Sequence, residues 1–415
     1  MKSLLLILLL SAGLAMGQTP NYIGAGGCAS SNCHGGTSPA AESLSRILTT
    51  EYSIWAVSDK HHKAAEVLGN PRSKRMTEIL GISDAMTDKR CASCHVVGSP
   101  EKLKSDGVAC EGCHGAAEKW LGPHTQKNSH ATSLGLGLVD TKNLRTRAQG
   151  CLECHLGTKD RVVDHELIAA GHPDLAFELD TFSWAQPAHW REPKAEAGNS
   201  LPRVRVWAVG QAVALSEGMK LLAQRASTKW PELAELECYQ CHHDLKQESW
   251  RIQRGYAGRK PGALQLNMAR TDVARLLVAV AASDQKAAVD AALGRVENAV
   301  RNEFANGGAI AEAARAAAAE ADKLVARFEK QDFQGPVAKA LIAALVGDIT
   351  RIAGDGVHSA EQATMTLDTL AASVTGNSAG VQQAMGEVYT YLEHPSVYQP
   401  AQFVALFRKA AAQVN

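Results

Sequence analysis

The chain has 415 residues, with 43 Lys plus Arg and 43 Asp plus Glu, so the polypeptide is formally neutral. This balance excludes the basic footprint of a nucleic-acid-binding protein. Aromatic residues make up only 5% of the chain, which is little for a large core. We therefore expect something other than Phe, Tyr and Trp to fill part of that core.

Residues 1–17 have the pattern of a secretory signal peptide. Lys2 supplies the positive end, an unbroken apolar run extends from Leu4 to Leu10, and small residues end the segment at Gly17. A membrane anchor is the alternative, but a span needs about 20 apolar residues. We predict a periplasmic or otherwise exported mature chain that begins near Gln18 and has no membrane span.

The ten cysteines form five pairs, and the second Cys of every pair is followed directly by His. Four pairs have the C-x-x-C-H spacing that attaches c-type haem, and the first pair has four intervening residues. The predicted haem-attaching cysteines are Cys28, Cys33, Cys91, Cys94, Cys110, Cys113, Cys151, Cys154, Cys238 and Cys241. The predicted proximal iron ligands are His34, His95, His114, His155 and His242.

This spacing has a physical reason. Residues at i, i+3 and i+4 share one face of a helical turn, so two thiols can bond the two vinyl groups of a haem while the adjacent imidazole binds its iron. The extra residues between Cys28 and Cys33 must loop out. A zinc site of the second and third cysteine pairs, or disulfides, would explain the cysteines but not the histidines. We predict five covalently attached haem c groups, which would also complete the core.

Ten histidines remain after the proximal five, and eight of them lie before residue 250, among the motifs. A histidine near several irons is a candidate sixth ligand, and bis-His ligation gives a lower potential than Met/His ligation. His165 and His172 are expected on one face of a helix because they are seven residues apart. His243 is expected either to reach a neighbouring haem or to bond a propionate. The candidate distal ligands are His61, His124, His165, His172 and His189.

Residues 20 to 160 resemble the cytochrome c-554 type of multihaem cytochrome. The resemblance rests on Tyr22-Ile23-Gly24, on Trp55 followed by His61-His62-Lys63-Ala64, and on GVACEGCHG at residues 107–115 with His124 beyond it. It implies that His61 and His124 are distal ligands, and that the second and third haems are in van der Waals contact. The chain departs from the family in its first motif, in its fifth motif at Cys238, and in its long haem-free C-terminal part.

The fold is predicted to be mainly α: a multihaem cytochrome c with little regular sheet, followed by a C-terminal Ala-rich helical bundle. We place the signal peptide at 1–17, a pentahaem domain at 18–255 and a haem-free helical domain at 256–415. Val204 to Ala226 is predicted as a helix that leads to the fifth motif. Ala-rich segments with helical apolar spacing follow at residues 271–282, 286–304, 309–328, 337–353 and 359–374.

Two functions are the main alternatives, and a structural or haem-storage role is a third interpretation. The favoured one is an exported electron carrier that passes electrons between redox partner proteins through closely spaced, mostly bis-His haems. The alternative is an oxidoreductase that acts on a small nitrogen or sulfur compound at one five-coordinate haem. A weak similarity of residues 169–178 to proteins akin to hydroxylamine oxidoreductase keeps this alternative open. A carrier needs every iron six-coordinate, whereas an enzyme needs one open position.

Overall fold

The computed structural model describes residues 21–42, 47–98, 101–191, 200–242, 264–376 and 378–414. The predicted signal peptide at 1–17 and His243 lie outside these residues. The described part is mainly α, as predicted. It contains no β-strand, only isolated β-bridges such as that between Val97 and Val108. Among these residues, no helix has the length and apolarity to cross a membrane.

Nine α-helices precede residue 230 in the described part of the chain, and they are mostly short. They are α1 (Glu51–Ser58), α2 (Pro71–Leu80), α3 (Lys89–His95), α4 (Cys110–His114), α5 (His130–Gly135), α6 (Leu144–His155), α7 (His165–Ala170), α8 (Leu179–Ala185) and α9 (Pro202–Thr228).

Seven α-helices follow in the described residues from 264 onward, and most of them are long. They are α10 (Ala269–Ala281), α11 (Lys286–Asn302), α12 (Gly307–Phe328), α13 (Gly335–Asp355), α14 (Val357–Thr375), α15 (Ala379–Leu392) and α16 (Pro400–Ala411). The Ala-rich periodic segments therefore form the predicted helical bundle.

Apolar packing is distributed unevenly along the chain. One buried cluster joins α6 and α9 to α10, α11, α12 and α13, and Trp207 at its centre is fully buried. A second cluster holds α13 to α16 together around residues such as Phe403 and Phe407. Around the first three cysteine motifs the connected cluster contains only Ala25, Trp55 and Ala109. The motif-bearing segment thus has little side-chain core of its own.

The first large cluster crosses the predicted domain boundary at residue 255. Helix α9 precedes the boundary and packs along α12, which follows it. Pro202 in the first turn begins α9, where its fixed φ suits a helix start and its missing N–H costs no hydrogen bond. The long helix next to the fifth motif is therefore part of the same core as the C-terminal helices.

Candidate haem sites

Three of the five motifs end a helix on the predicted proximal histidine. Helices α3, α4 and α6 each end at the His of their C-x-x-C-H sequence. The fifth motif begins a short 3-10 turn at Cys238–Gln240, which the side chain of Glu237 caps. Helical geometry therefore puts both sulfurs and the imidazole on one side of each turn, as attachment to a planar macrocycle requires.

The longer spacing in the first motif is accommodated by a turn. Cys28 ends a short 3-10 helix, and the backbone N–H of Cys33 donates to Ser30 O at 2.9 Å. Gly35 N–H donates to the same oxygen at 3.0 Å. The extra residues loop out at this turn, as the sequence predicts.

Four of the proximal histidines face a second histidine across a gap of uniform width. The ring centres are 6.0–6.4 Å apart in the pairs His34–His124, His95–His172, His155–His61 and His242–His165. A metal–nitrogen bond of about 2 Å on either side, with about 1 Å from each nitrogen to its ring centre, gives about 6 Å. Each pair therefore has the spacing that one iron between two imidazoles requires.

Hydrogen bonds at Nδ1 leave the other ring nitrogen available in most of these histidines. Nδ1 of His95 donates to Ala64 O at 2.9 Å, and Nδ1 of His172 donates to Pro173 O at 2.7 Å. Nδ1 of His124 donates to Leu121 O in the same way. Because a carbonyl only accepts, Nδ1 carries the proton and Nε2 keeps its lone pair in the neutral ring. This is the tautomer that binds a metal.

Carboxylates orient two further candidate ligands. Glu51 Oε2 lies 3.1 Å from Nδ1 of His34, and Asp59 Oδ1 lies 2.9 Å from Nδ1 of His61. Burial raises the pKa of Asp59, but hydrogen bonds from His61 and Gln186 outweigh it and hold that pKa at about 2. Asp59 is therefore a carboxylate near neutral pH. Such an outer carboxylate fixes the tautomer of a metal ligand.

The third site differs from the other four. Burial is the main cause that lowers the pKa of His114 to about 4, and the charges of His189 and His34 lower it further. His114 is thus neutral and suited to a metal, and His189 lies within electrostatic reach. Among the described residues, no aromatic or imidazole ring faces His114 as in the four pairs, and the ring of His189 contacts Trp190 at 5.1 Å. Four of the five predicted distal ligands therefore have rings that face a proximal histidine, whereas the fifth, His189, is only near His114.

The expectation that His165 and His172 share one face of a helix is wrong. Helix α7 ends at Ala170, and Gly171 adopts φ +122°, a conformation that glycine allows at a helix end. His172 therefore lies beyond the helix and faces His95, whereas His165 at the helix start faces His242. The two histidines therefore face different motifs.

The cysteines themselves bring motifs together in pairs. The thiol of Cys110 is the main cause that lowers the pKa of Cys28 to about 7, and the thiol of Cys154 lowers the pKa of Cys94 in the same way. The first motif therefore lies near the third, and the second lies near the fourth. Between the second and third motifs, the N–H of Ala109 donates to Val97 O at 2.8 Å. The four cysteines with zinc spacing are not brought together as one ligand cluster among the described residues.

Two residues that the sequence analysis passed over support the sites. Glu111, inside the third motif, accepts backbone N–H bonds from Ile23, Gly24 and Ala117 at 2.6–3.1 Å, so it anchors the N-terminal segment over that motif. His358 on α14 lies 3.9 Å from the sulfur of Cys238 through Nε2, and the same nitrogen lies 3.1 Å from Asp174. Since His358 is far from any Cys in the sequence, no local signal indicates its position.

These observations fit covalently bound haem. All ten cysteines are free of disulfides. Hydrogen bonds orient most of the candidate ligand histidines, and the facing rings have the spacing of axial ligands. The motif-bearing segment has little side-chain core, so a large apolar group would complete it. The cysteines would form the thioether bonds, and the proximal histidines would bind iron. Haem, when bound, supplies a one-electron ferric/ferrous couple.

The mainly α fold and these sites have the features expected of a haem protein of the c-type cytochrome class. Residues 28–115 match the family described as cytochrome c554 and c-prime, and this segment contains the first three motifs. The match supports a haem-based electron-transfer protein with covalently bound haem c. Comparisons with curated proteins and with solved structures found no significant match.

Proposed function

We propose that this chain is an exported pentahaem c-type cytochrome that transfers electrons between redox partner proteins. The pattern of residues 1–17 supports export, and haem is attached to such proteins on the outer side of the membrane. The proposal includes a haem-binding part at 18–255 and a haem-free helical part at 256–415. The shared core of α9 and α12 supports close packing between the two parts.

The observation that carries the proposal is the set of four facing histidine pairs. In an electron carrier both axial positions of each iron are filled by protein ligands, so that no substrate is bound and little rearrangement accompanies a change of charge. We assign His124 to the first site, His172 to the second, His61 to the fourth and His165 to the fifth. Their uniform spacing favours bis-His ligation, which also gives a low potential.

Contacts between sites support rapid transfer along the protein. The proximity of Cys28 to Cys110 and of Cys94 to Cys154 brings two pairs of attachment edges together. His61 links the third and fourth sites, since its carbonyl accepts the N–H of Val108 at 2.9 Å while its ring faces His155. The sites are thus neighbours in space rather than isolated centres.

A second candidate function rests on the third site alone. His114 is partly buried and has a pKa of about 4, and the described residues place no ring opposite it, while the charge of His189 contributes to lowering that pKa. If His189 does not bind there, this site offers an open position for a small nitrogen or sulfur compound. The all-histidine motifs and the supply of distal histidines favour the carrier.

Optical spectroscopy of the reduced holoprotein with and without carbon monoxide distinguishes the two functions. The carrier predicts that carbon monoxide leaves the spectrum almost unchanged and that nitrite and hydroxylamine give no steady turnover. Binding of carbon monoxide to about one haem in five would establish an open site. The variant His189→Ala is the matched positive control, because it removes the candidate ligand of the third site and should open it.

A further inference from the structure

The segment from His165 to Asp174 contacts two candidate haem sites at once. The ring of His165 faces His242 of the fifth motif at 6.0 Å, and the ring of His172 faces His95 of the second motif at 6.4 Å. Helix α7, which occupies most of the segment, has six residues and is about 9 Å long. The candidate distal ligands of the second and fifth sites are therefore held a short, fixed distance apart.

The ends of this segment are fixed by contacts outside it. The N–H of His165 donates to Glu232 Oε1 at 3.0 Å, close to the fifth motif. At the other end, Arg72 Nε donates to Gly171 O at 2.6 Å, and the N–H of His172 donates to Leu167 O at 3.0 Å. The reversal at Gly171, with φ +122°, turns His172 away from the helix and toward the second site.

The same segment also contacts the attachment edge of the fifth site. Asp174 Oδ2 lies 3.1 Å from Nε2 of His358, which in turn lies 3.9 Å from the sulfur of Cys238. The second ring nitrogen of His358 lies 3.2 Å from Glu361. The contacts of Asp174 with His358 and of His358 with Cys238 thus tie the segment that carries His172 to the cysteine of the fifth motif.

The fourth site lies one step further along the chain. Phe177, three residues beyond Asp174, stacks on His155 with 5.1 Å between ring centres. The chain therefore passes the fifth, second and fourth sites in that order. The order of the sites in space differs from the order of their motifs in the sequence.

We propose that the segment 165–174 is the junction that connects the fifth haem site to the others, chiefly through the second site, whose candidate distal ligand it carries. This inference rests on the proposed electron-transfer function. Each transfer moves one electron from one site to its neighbour, without bond formation or proton release. One-electron donor and acceptor proteins at the ends are the only co-reactants.

The test uses the holoprotein with Met in place of selected distal histidines. Met keeps a sixth ligand and raises the potential of its haem, so a substituted haem is reduced before the rest. In the double variant His165→Met/His172→Met, the fifth and second haems would be reduced first. The electron on the first reduced haem disfavours reduction of the other, so the two midpoint potentials should split. His165→Met/His61→Met is the matched control, in which the fifth and fourth sites are raised instead.

Spectroelectrochemical titration of the single and double variants gives the splitting. Since charge interaction falls with distance, we expect a splitting about twofold larger for the His165/His172 pair than for the His165/His61 pair. An equal or larger splitting in the His165/His61 pair would overturn the junction and leave the carrier function intact. If the single variant His165→Met shows no raised step, the ligation assigned above is wrong, and the junction is wrong with it.

Discussion

The imidazole rings of His61 and His155 face each other nearly at right angles, with 6.2 Å between ring centres and 86° between planes. His61 follows the first motif and His155 ends the fourth, so chain folding alone brings them together. Nδ1 of His61 is tied to the Asp59 carboxylate at 2.9 Å, which directs the ring toward the gap. Asp59, His61 and His155 thus form a connected series of outer carboxylate, candidate distal ligand and candidate proximal ligand.

Removal of a distal ligand should change the spin state of one haem. We expect His61→Ala and His124→Ala each to convert one low-spin haem to high spin and to raise its potential, because one axial nitrogen is lost. Optical and electron paramagnetic resonance spectra of the holoprotein measure both changes. His130→Ala is the control, since His130 is exposed and lies 3.8 Å from Asp140 rather than opposite a proximal histidine. Unchanged spectra in both test variants would disprove the assignment.

The planes of the facing rings predict two kinds of low-spin signal. The planes are 14° apart in His34–His124 and 29° apart in His165–His242, but 83° and 86° apart in the other two pairs. Near-parallel imidazoles give rhombic ferric signals, and near-perpendicular imidazoles give a broad feature at high g. The ferric protein should show two haems of each kind, and His124→Ala should remove a rhombic signal only. Loss of the broad feature in that variant would contradict the pairing.

Packing across residue 255 should make the haem part depend on the helical part. Trp207 on α9 is fully buried, and its Nε1 donates to Thr366 Oγ1 on α14 at 3.2 Å. We expect Trp207→Ala to lower the free energy of unfolding by about 3–5 kcal/mol. Trp184→Ala is the control, because Trp184 is 61% exposed, and it should cost about 1 kcal/mol or less. Denaturant titration followed by far-UV circular dichroism gives both values. Similar losses would contradict the shared core.

Stability should fall as pH rises through the titration of Glu178. Burial, with the neighbouring Asp180 charge, raises the pKa of Glu178 from 4.5 to about 7. Between these values the folded state holds a proton that the unfolded state has released, so the free energy of unfolding decreases with pH by about 3 kcal/mol. Below pH 4.5 both states are protonated, and the contribution is fully present.

The variant Glu178→Gln tests this linkage. Glutamine does not titrate, and it keeps one of the two oxygens that accept the N–H groups of Asp180 and Thr181 at 2.9 and 2.7 Å. Chemical unfolding at several pH values should show a flatter profile for Glu178→Gln than for the unmodified chain between pH 4.5 and 7. Parallel profiles would show that Glu178 is not the group responsible.

The C-terminal helices follow closely from the sequence. The segment predicted at 286–304 is observed as Lys286–Asn302, and the one predicted at 359–374 as Val357–Thr375. Alanine-rich sequence with apolar residues at helical spacing favours a helix both locally and by packing. Helices α15 and α16 have no counterpart among the predicted segments. Gly380 and Gly386 weaken the helical pattern of α15, whereas Pro400 is a sequence signal for the start of α16.

The local geometry of the sites is predictable, but their pairing is not. A cysteine motif determines its own turn, so the helical ends at His95, His114 and His155 agree with expectation. The partner of each ring depends on contacts between distant segments, as with His61 and His155. The positive φ of Gly171 also places His172 outside helix α7. His358 on α14 contacts Cys238 although the two residues are far apart in the sequence. These relationships belong to tertiary packing.

The number of covalent haems tests the central claim most directly. Intact mass spectrometry of the denatured holoprotein, expressed with its export and haem-attachment machinery, should give the mass of the processed chain plus five haems, and the denatured protein should keep its colour. A mass with four haems would contradict the five-site account, and Cys28→Ala/Cys33→Ala would then show whether the first motif is the empty one. Loss of all colour on acid extraction would contradict covalent attachment altogether.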